Sequence, residues 1–142
     1  MAAITVTAAD VRPLQGSITI RAVADEALTV GDLVYVDAYT GNIPGVKKTV
    51  ATAIATSIVL GMVVAGAPEK NGSTSVASGD IVDVAVLGPV TGFSGATAGG
   101  FVWASDTAGV AADAVGTKSA PVGFMLTPTT LFIRPFQATR SA

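Results

Sequence analysis

Asp80 and Asp83 stand three positions apart in Gly79-Asp80-Ile81-Val82-Asp83-Val84, a spacing that would serve acid–base work or hold a cation only if the two carboxylates met. The residues between them are β-branched and favour a strand. Side chains alternate along a strand, so an odd step sends the two carboxylates to opposite faces. Asp25 and Glu26 are adjacent, and the same alternation parts them. Asp32 and Asp80 each follow a glycine at an expected strand start, where a carboxylate caps the turn. The chain contains no histidine and no cysteine, which removes the imidazole base, the thiolate nucleophile and the usual soft metal ligands. Gly95, Gly99 and Gly100 lie in a glycine-rich run, yet no Gly-Lys-Ser/Thr follows to cradle a phosphate. These residues predict no enzyme, no cofactor and no metal site.

The elements that would position such groups are strands. Gly31-Asp32-Leu33-Val34-Tyr35-Val36-Asp37 returns as Gly99-Gly100-Phe101-Val102-Trp103-Ala104-Ser105, and in shorter form as Gly79-Asp80-Ile81-Val82-Asp83-Val84. Glycine releases the chain from a turn, and β-branched and aromatic residues follow it. After the first copy comes Val59-Leu60-Gly61-Met62-Val63-Val64, and after the later one Pro121-Val122-Gly123-Phe124-Met125-Leu126. Ile81 to Val86 closes the first unit and Leu131-Phe132-Ile133-Arg134 the second. The pattern reads either as a duplicated three-stranded unit, with an insertion in the first copy from Gly45 to about Thr56, or as the chance self-likeness of a chain rich in Gly, Ala and Val. Ser17-Ile18-Thr19-Ile20-Arg21-Ala22-Val23 adds a half-buried strand by its alternation. The fold expected is all-β, a small β-barrel or β-sandwich.

Asn71-Gly72 signals a tight turn within an exposed loop, Pro68 to Ser78. Gly88-Pro89 is expected to interrupt the strand that starts at Asp80, and residues 92–100 to bridge flexibly into the second unit. Residues 1–15 read as an extended arm, 16–135 as the β-rich domain and 136–142 as a flexible tail. In the arm, Ile4, Val6, Val11, Arg12 and Leu14 are the residues expected to meet a partner more than their own core. Tyr35, Phe101, Trp103 and Phe124 are the aromatics expected in a core or at a subunit interface. If Tyr35 and Trp103 face outward, they would instead form a stacking platform for sugars.

Charged residues make up 13% of the 142-residue chain, about half the usual share. A surface so poor in charge is expected to be partly covered by other subunits. Eight basic residues against ten acidic ones, with only Lys47-Lys48 adjacent, leave no nucleic-acid footprint. Met1-Ala2-Ala3-Ile4 lacks the basic start of a secretory signal, so no Sec export is expected. Residues 49–67 carry no charge, but repeated threonine, two glycines and dense β-branching argue for a loop and strand rather than a membrane helix.

In this order, Ala27-Leu28-Thr29-Val30-Gly31-Asp32-Leu33-Val34-Tyr35-Val36-Asp37, Leu60-Gly61-Met62-Val63, Ser78-Gly79-Asp80-Ile81-Val82-Asp83-Val84, Ala98-Gly99-Gly100-Phe101-Val102-Trp103 and Pro121-Val122-Gly123-Phe124 resemble the capsid decoration, or cement, proteins of tailed bacteriophages. The resemblance spans about Val23 to Pro135. It implies a homotrimer on the outside of an icosahedral capsid, with the major capsid protein as partner, reinforcing the shell against internal DNA pressure. It further implies assembly in the bacterial host cytoplasm and a final place on the virion exterior. The chain departs from that pattern in its N-terminal extension and in the insertion after Gly45. Competing expectations are a tail or head-fibre component, a carbohydrate-binding module, and a hydrolase with a minimal Asp-based site.

Overall fold

Ile81–Thr91 runs through both halves of the molecule as one strand. The computed structural model describes residues 3–66 and 74–135; the expected Asn71-Gly72 turn and the tail from residue 136 lie outside them. The strands are β1 (Thr5–Val6), β2 (Arg12–Pro13), β3 (Ile18–Ala24), β4 (Leu28–Thr29), β5 (Leu33–Thr40), β6 (Ile43–Lys48), β7 (Gly61–Ala65), β8 (Ser75–Val76), β9 (Ile81–Thr91), β10 (Phe93–Ser94), β11 (Phe101–Ala104), β12 (Ala111–Ala112), β13 (Pro121–Thr127) and β14 (Thr130–Ile133). One 3-10 turn, Ala8–Asp10, lies between β1 and β2. No helix among the described residues is long and apolar enough to cross a membrane.

Five strands close a barrel in the order β3, β6, β5, β7, β9 and back to β3. Only the short β3–β6 contact is parallel, Val23 opposite Gly45 and Ala24 opposite Val46. Closure leaves no free edge among these five, so the ladder's polar groups are paired within the chain. Leu33, Val34, Val46, Met62, Val63, Val82 and Val84, all on these strands, are fully buried. From β9 a second, antiparallel sheet continues through β14, β13, β11 and β12, and its inner face supplies Val90, Val102, Met125, Leu131 and Ile133 to the same core.

The strand interruption expected at Gly88-Pro89 is a change of neighbours instead. Before Gly88, β9 pairs with β3 and β7; from Gly88 onward it pairs with β14 and β2. Gly88 takes a φ of 111° and lies so close to Gly16 and Ser17 that a Cβ would stand 2.7 Å from the Ser17 Cα. A residue with a side chain would be strained there and would push the β3 approach apart. Pro89 has no N–H to give, but its carbonyl accepts from the Leu14 N–H at 2.9 Å and from the Ser17 hydroxyl at 2.5 Å.

The two expected three-strand units share one register. Leu33 faces Met62 and Val34 faces Gly61 in the first; Phe101 faces Phe124 and Val102 faces Gly123 in the second. Met62 faces Ala85 and Val63 faces Val84, as Phe124 faces Phe132 and Met125 faces Leu131. The register slips at the same place in both, between Val63 and Ala65 and between Met125 and Thr127. Even the entry turn repeats: the Asp32 N–H donates to Thr29 O, the Asp80 N–H to Ala77 O and the Gly100 N–H to Thr97 O, at 3.0, 3.1 and 3.0 Å.

The insertion of the first unit ties the two units together. Ala51 N–H donates to Ser105 O at 3.0 Å, and Lys118 N–H to Ala51 O at 2.7 Å. Residues 51–56, whose sequence fits either a short helix or a strand, are turns. The polar segment before β9 is not wholly loop, since Ser75–Val76 pairs with Leu28–Thr29. The bridge of residues 92–100 likewise carries β10, with Phe93 buried.

Residues 3–14, extended on either side of the 3-10 turn Ala8–Asp10, lie along their own domain. Thr5 and Val6 pair with Ser94 and Phe93, Arg12 and Pro13 with Thr91 and Val90, and Ala3 bridges Ala112. The far edge of β9 offers unpaired backbone groups, and β2 satisfies them. Ile4 and Val11 are buried in the chain's own core, which corrects, for these two, the expectation that they meet a partner. Val6, Arg12 and Leu14 are exposed.

Candidate functional site

The outer face of the second sheet carries the molecule's aromatic surface. On β11 the alternation is regular: Val102 and Ala104 are buried, whereas Phe101 is 62% exposed and Trp103 is half-buried. Phe101 lies opposite Phe124, Phe124 opposite Phe132, and Phe132 opposite Pro89. One apolar row therefore crosses four strands at a single register, because facing residues of adjacent strands project to the same side. Phe124 and Phe132 stack with centroids 5.4 Å apart at 22°. Phe101 and Trp103 are 6.0 Å apart and tilted by 56°. Leu126, also exposed, extends the row along β13.

Beside this row lies a cleft of about 420 Å³ between the N-terminal segment, residues 94–100 and β11. Its lining joins Phe101 and Trp103 with Ile4 and Met125, whose side chains are buried in the core, and with the polar residues Thr5, Ser94, Thr97 and Asp113. A second cleft, of about 480 Å³, is lined by Asp10, Arg12, Thr91 and Thr129 among others. The N-terminal segment thus borders both.

Of the expected aromatics, Phe101, Trp103 and Phe124 come together on this face. Tyr35 does not join them: it is half-buried on the barrel, opposite Lys47 of β6. Beyond it the β5–β6 hairpin runs out of the barrel, and Tyr39 near its tip is 80% exposed. Sequence reasoning missed Phe132, since the matching position of the first unit is Ala85, which is not aromatic. It also missed Ser94, Thr97 and Asp113, which sit in turns without periodicity. The exposed Tyr39 was signalled only by the polar run Asp37-Ala38-Tyr39-Thr40.

The carboxylates have structural partners. Asp32 accepts the Thr29 N–H at 2.8 Å and Asp80 the Ala77 N–H at 3.1 Å, the capping role read from their place after glycine. Burial pushes the Asp32 carboxyl above the ordinary carboxylate value, against the pull of the Thr29 N–H and the Lys48 charge. Asp83 faces Arg21 at 3.9 Å, and Asp37 faces Lys47 at 3.7 Å. Glu26 accepts the Lys48 N–H at 2.7 Å, while the Asp25 carboxylate lies over Gly45. Asp106 accepts both the N–H and the hydroxyl of Thr117, at 2.9 and 2.8 Å, which holds its carboxyl below the ordinary value. Among the described residues no group of three or more acidic side chains is placed to hold a metal ion. What the face offers chemically is apolar and aromatic contact with a polar rim.

No family model matches the chain, and neither a curated protein nor a solved structure does.

Proposed function

We propose that the chain is a structural virion protein that binds the outer surface of an icosahedral tailed-phage capsid, as a homotrimer, and stabilises the shell against internal DNA pressure. Its partner in this reading is the major capsid protein. The observation that carries it is the row Phe101, Phe124, Phe132 and Pro89, in which Phe101 is 62% exposed and the other three are half-buried, on a chain with few charges. Covering such a surface is favourable by roughly 25 cal/mol for each Å² of apolar area removed from water. The resemblance to decoration proteins supplies the identity of what covers it. Its Gly-Asp and Leu-Gly-Met or Val-Gly-Phe segments are also the ones whose register repeats between the two units.

A cement protein needs no reaction chemistry. It needs several modest contacts held in a symmetric arrangement, because engaging several capsomers at once multiplies weak affinities. The test is addition of the purified protein to undecorated expanded shells, with co-sedimentation and shell disruption temperature as readouts. Saturable addition and a raised disruption temperature are expected. Absence of addition at micromolar protein overturns the reading, and co-purification with tails would favour a tail component.

A further inference from the structure

The cleft beside β11 is lined by aromatic and polar residues together, and that composition selects a ligand. Its lining joins a pair of tilted rings, Phe101 and Trp103, with the polar residues Thr5, Ser94, Thr97 and Asp113. We propose that this cleft binds a neutral sugar unit of an oligosaccharide. A pyranose has an apolar face of C–H groups and an edge of hydroxyls, so the first packs on the rings while the second donates to and accepts from the rim. Its volume of about 420 Å³ lies within the about 300–1,000 Å³ of small-molecule sites.

Other ligand classes fit less well. An anion finds a carboxylate and no cationic side chain among the described lining residues, an arrangement that repels it. A peptide strand adding to the sheet needs an unpaired backbone edge. Here β1 is paired with β10, and the Ile4 N–H is already given to Ala111 O at 2.9 Å. A sugar needs no such edge. The inference does not depend on capsid binding, since it concerns the isolated protein in solution.

Trp103 is the only tryptophan of the chain and lines the cleft, so its emission reports occupancy. The full-length protein is titrated with the methyl glycosides of glucose, galactose, mannose and N-acetylglucosamine, with the corresponding disaccharides, and with glucuronate as the charged control. A saturable emission change with at least one neutral glycoside in the millimolar range, and a weaker response to glucuronate, is expected. Phe101→Ala removes an exposed ring and keeps the reporter; it should weaken binding about tenfold or more, as the loss of one stacking partner does, with the thermal transition preserved. Asp113→Asn should weaken binding while abolishing the discrimination against glucuronate. No saturable response to any neutral sugar, or an unchanged response in Phe101→Ala, overturns the proposal. An emission change that follows protein concentration without sugar, together with a mass increase in light scattering, also overturns it and gives the cleft to a second copy of the chain.

Discussion

Gly61 and Gly123 stand at the same position of the two three-strand units, and each leaves its Cβ site to a carbonyl of the next strand, Ala85 O for one and Phe132 O for the other. The coincidence explains why a glycine sits inside two strands, where it ordinarily weakens them. The central strand of each unit, β7 or β13, approaches its closing strand more closely than a Cβ permits. Gly61→Ala and Gly123→Ala should therefore each cost about 1–3 kcal/mol, as overpacking against backbone does. Denaturant titration of the two variants checks this, with similar losses expected because the obstruction is the same.

Asp32 gives stability an unusual pH slope. Burial raises its folded value above the ordinary 3.8, so its favourable contribution is complete below the unfolded value and is lost as pH rises through the folded one. Asp32→Asn keeps an oxygen for the Thr29 N–H and removes the buried charge. The variant should melt higher than the parent at neutral pH, and the difference should vanish in acid. Thermal melts across that range decide it.

Asp106 runs the other way. Its two bonds from Thr117 lower the folded value, so the stability they bring is present above the unfolded value and is lost as pH falls through the folded one. Asp106→Asn should therefore lose stability at neutral pH and approach the parent at low pH. The opposite signs for Asp32 and Asp106 distinguish these two local effects from general charge repulsion.

Alternation in the sequence located β3, β5 and β9 of the barrel and paired residues by face, but it missed β6, Ile43–Lys48, and could not say which face turns inward. Leu33 and Phe101 are equivalent by register, yet Leu33 is fully buried and Phe101 is 62% exposed. The difference comes from tertiary context. The first unit is covered on both sides, with the Leu33 N–H given to Gly109 O of the second unit at 2.9 Å, while the outer face of the second unit has no such cover from the described residues. The Gly88-Pro89 reading failed for a related reason: the dipeptide marks a change of neighbours, which is invisible without knowing the neighbours. Turn residues that line the cleft, Ser94, Thr97 and Asp113, carry no periodic signal at all.

Trp103 follows from that correction. A core tryptophan replaced by alanine costs about 3–5 kcal/mol, but this ring is half-buried beside an exposed phenylalanine. Trp103→Ala should cost about 1–2 kcal/mol in the isolated protein, in proportion to the smaller area removed from water. Chemical denaturation measures it, and a soluble quencher should reach the ring in the parent protein. A loss in the core range would mean that the outer face is covered in solution.

The last prediction concerns the N-terminal segment, whose burial makes it part of the fold. Ile4 and Val11 are 9% and 7% exposed, and Val11 lies against Gly92 so closely that a Cβ there would meet its Cα at 2.8 Å. Removing residues 1–15 would strip the pairing from the far edge of β9 and uncover Phe93 and Val90. Ile4→Ala alone should cost about 2 kcal/mol or more, which at this chain length lowers the melting temperature by roughly 8 °C. Val6→Ala and Leu14→Ala, at exposed positions of the same segment, should stay within about 0.5 kcal/mol of the parent. Calorimetry on the three variants separates the cases. Equal, negligible losses in all three would show that the segment contributes nothing to its own domain, and would return it to the role of an arm that orders only on a partner.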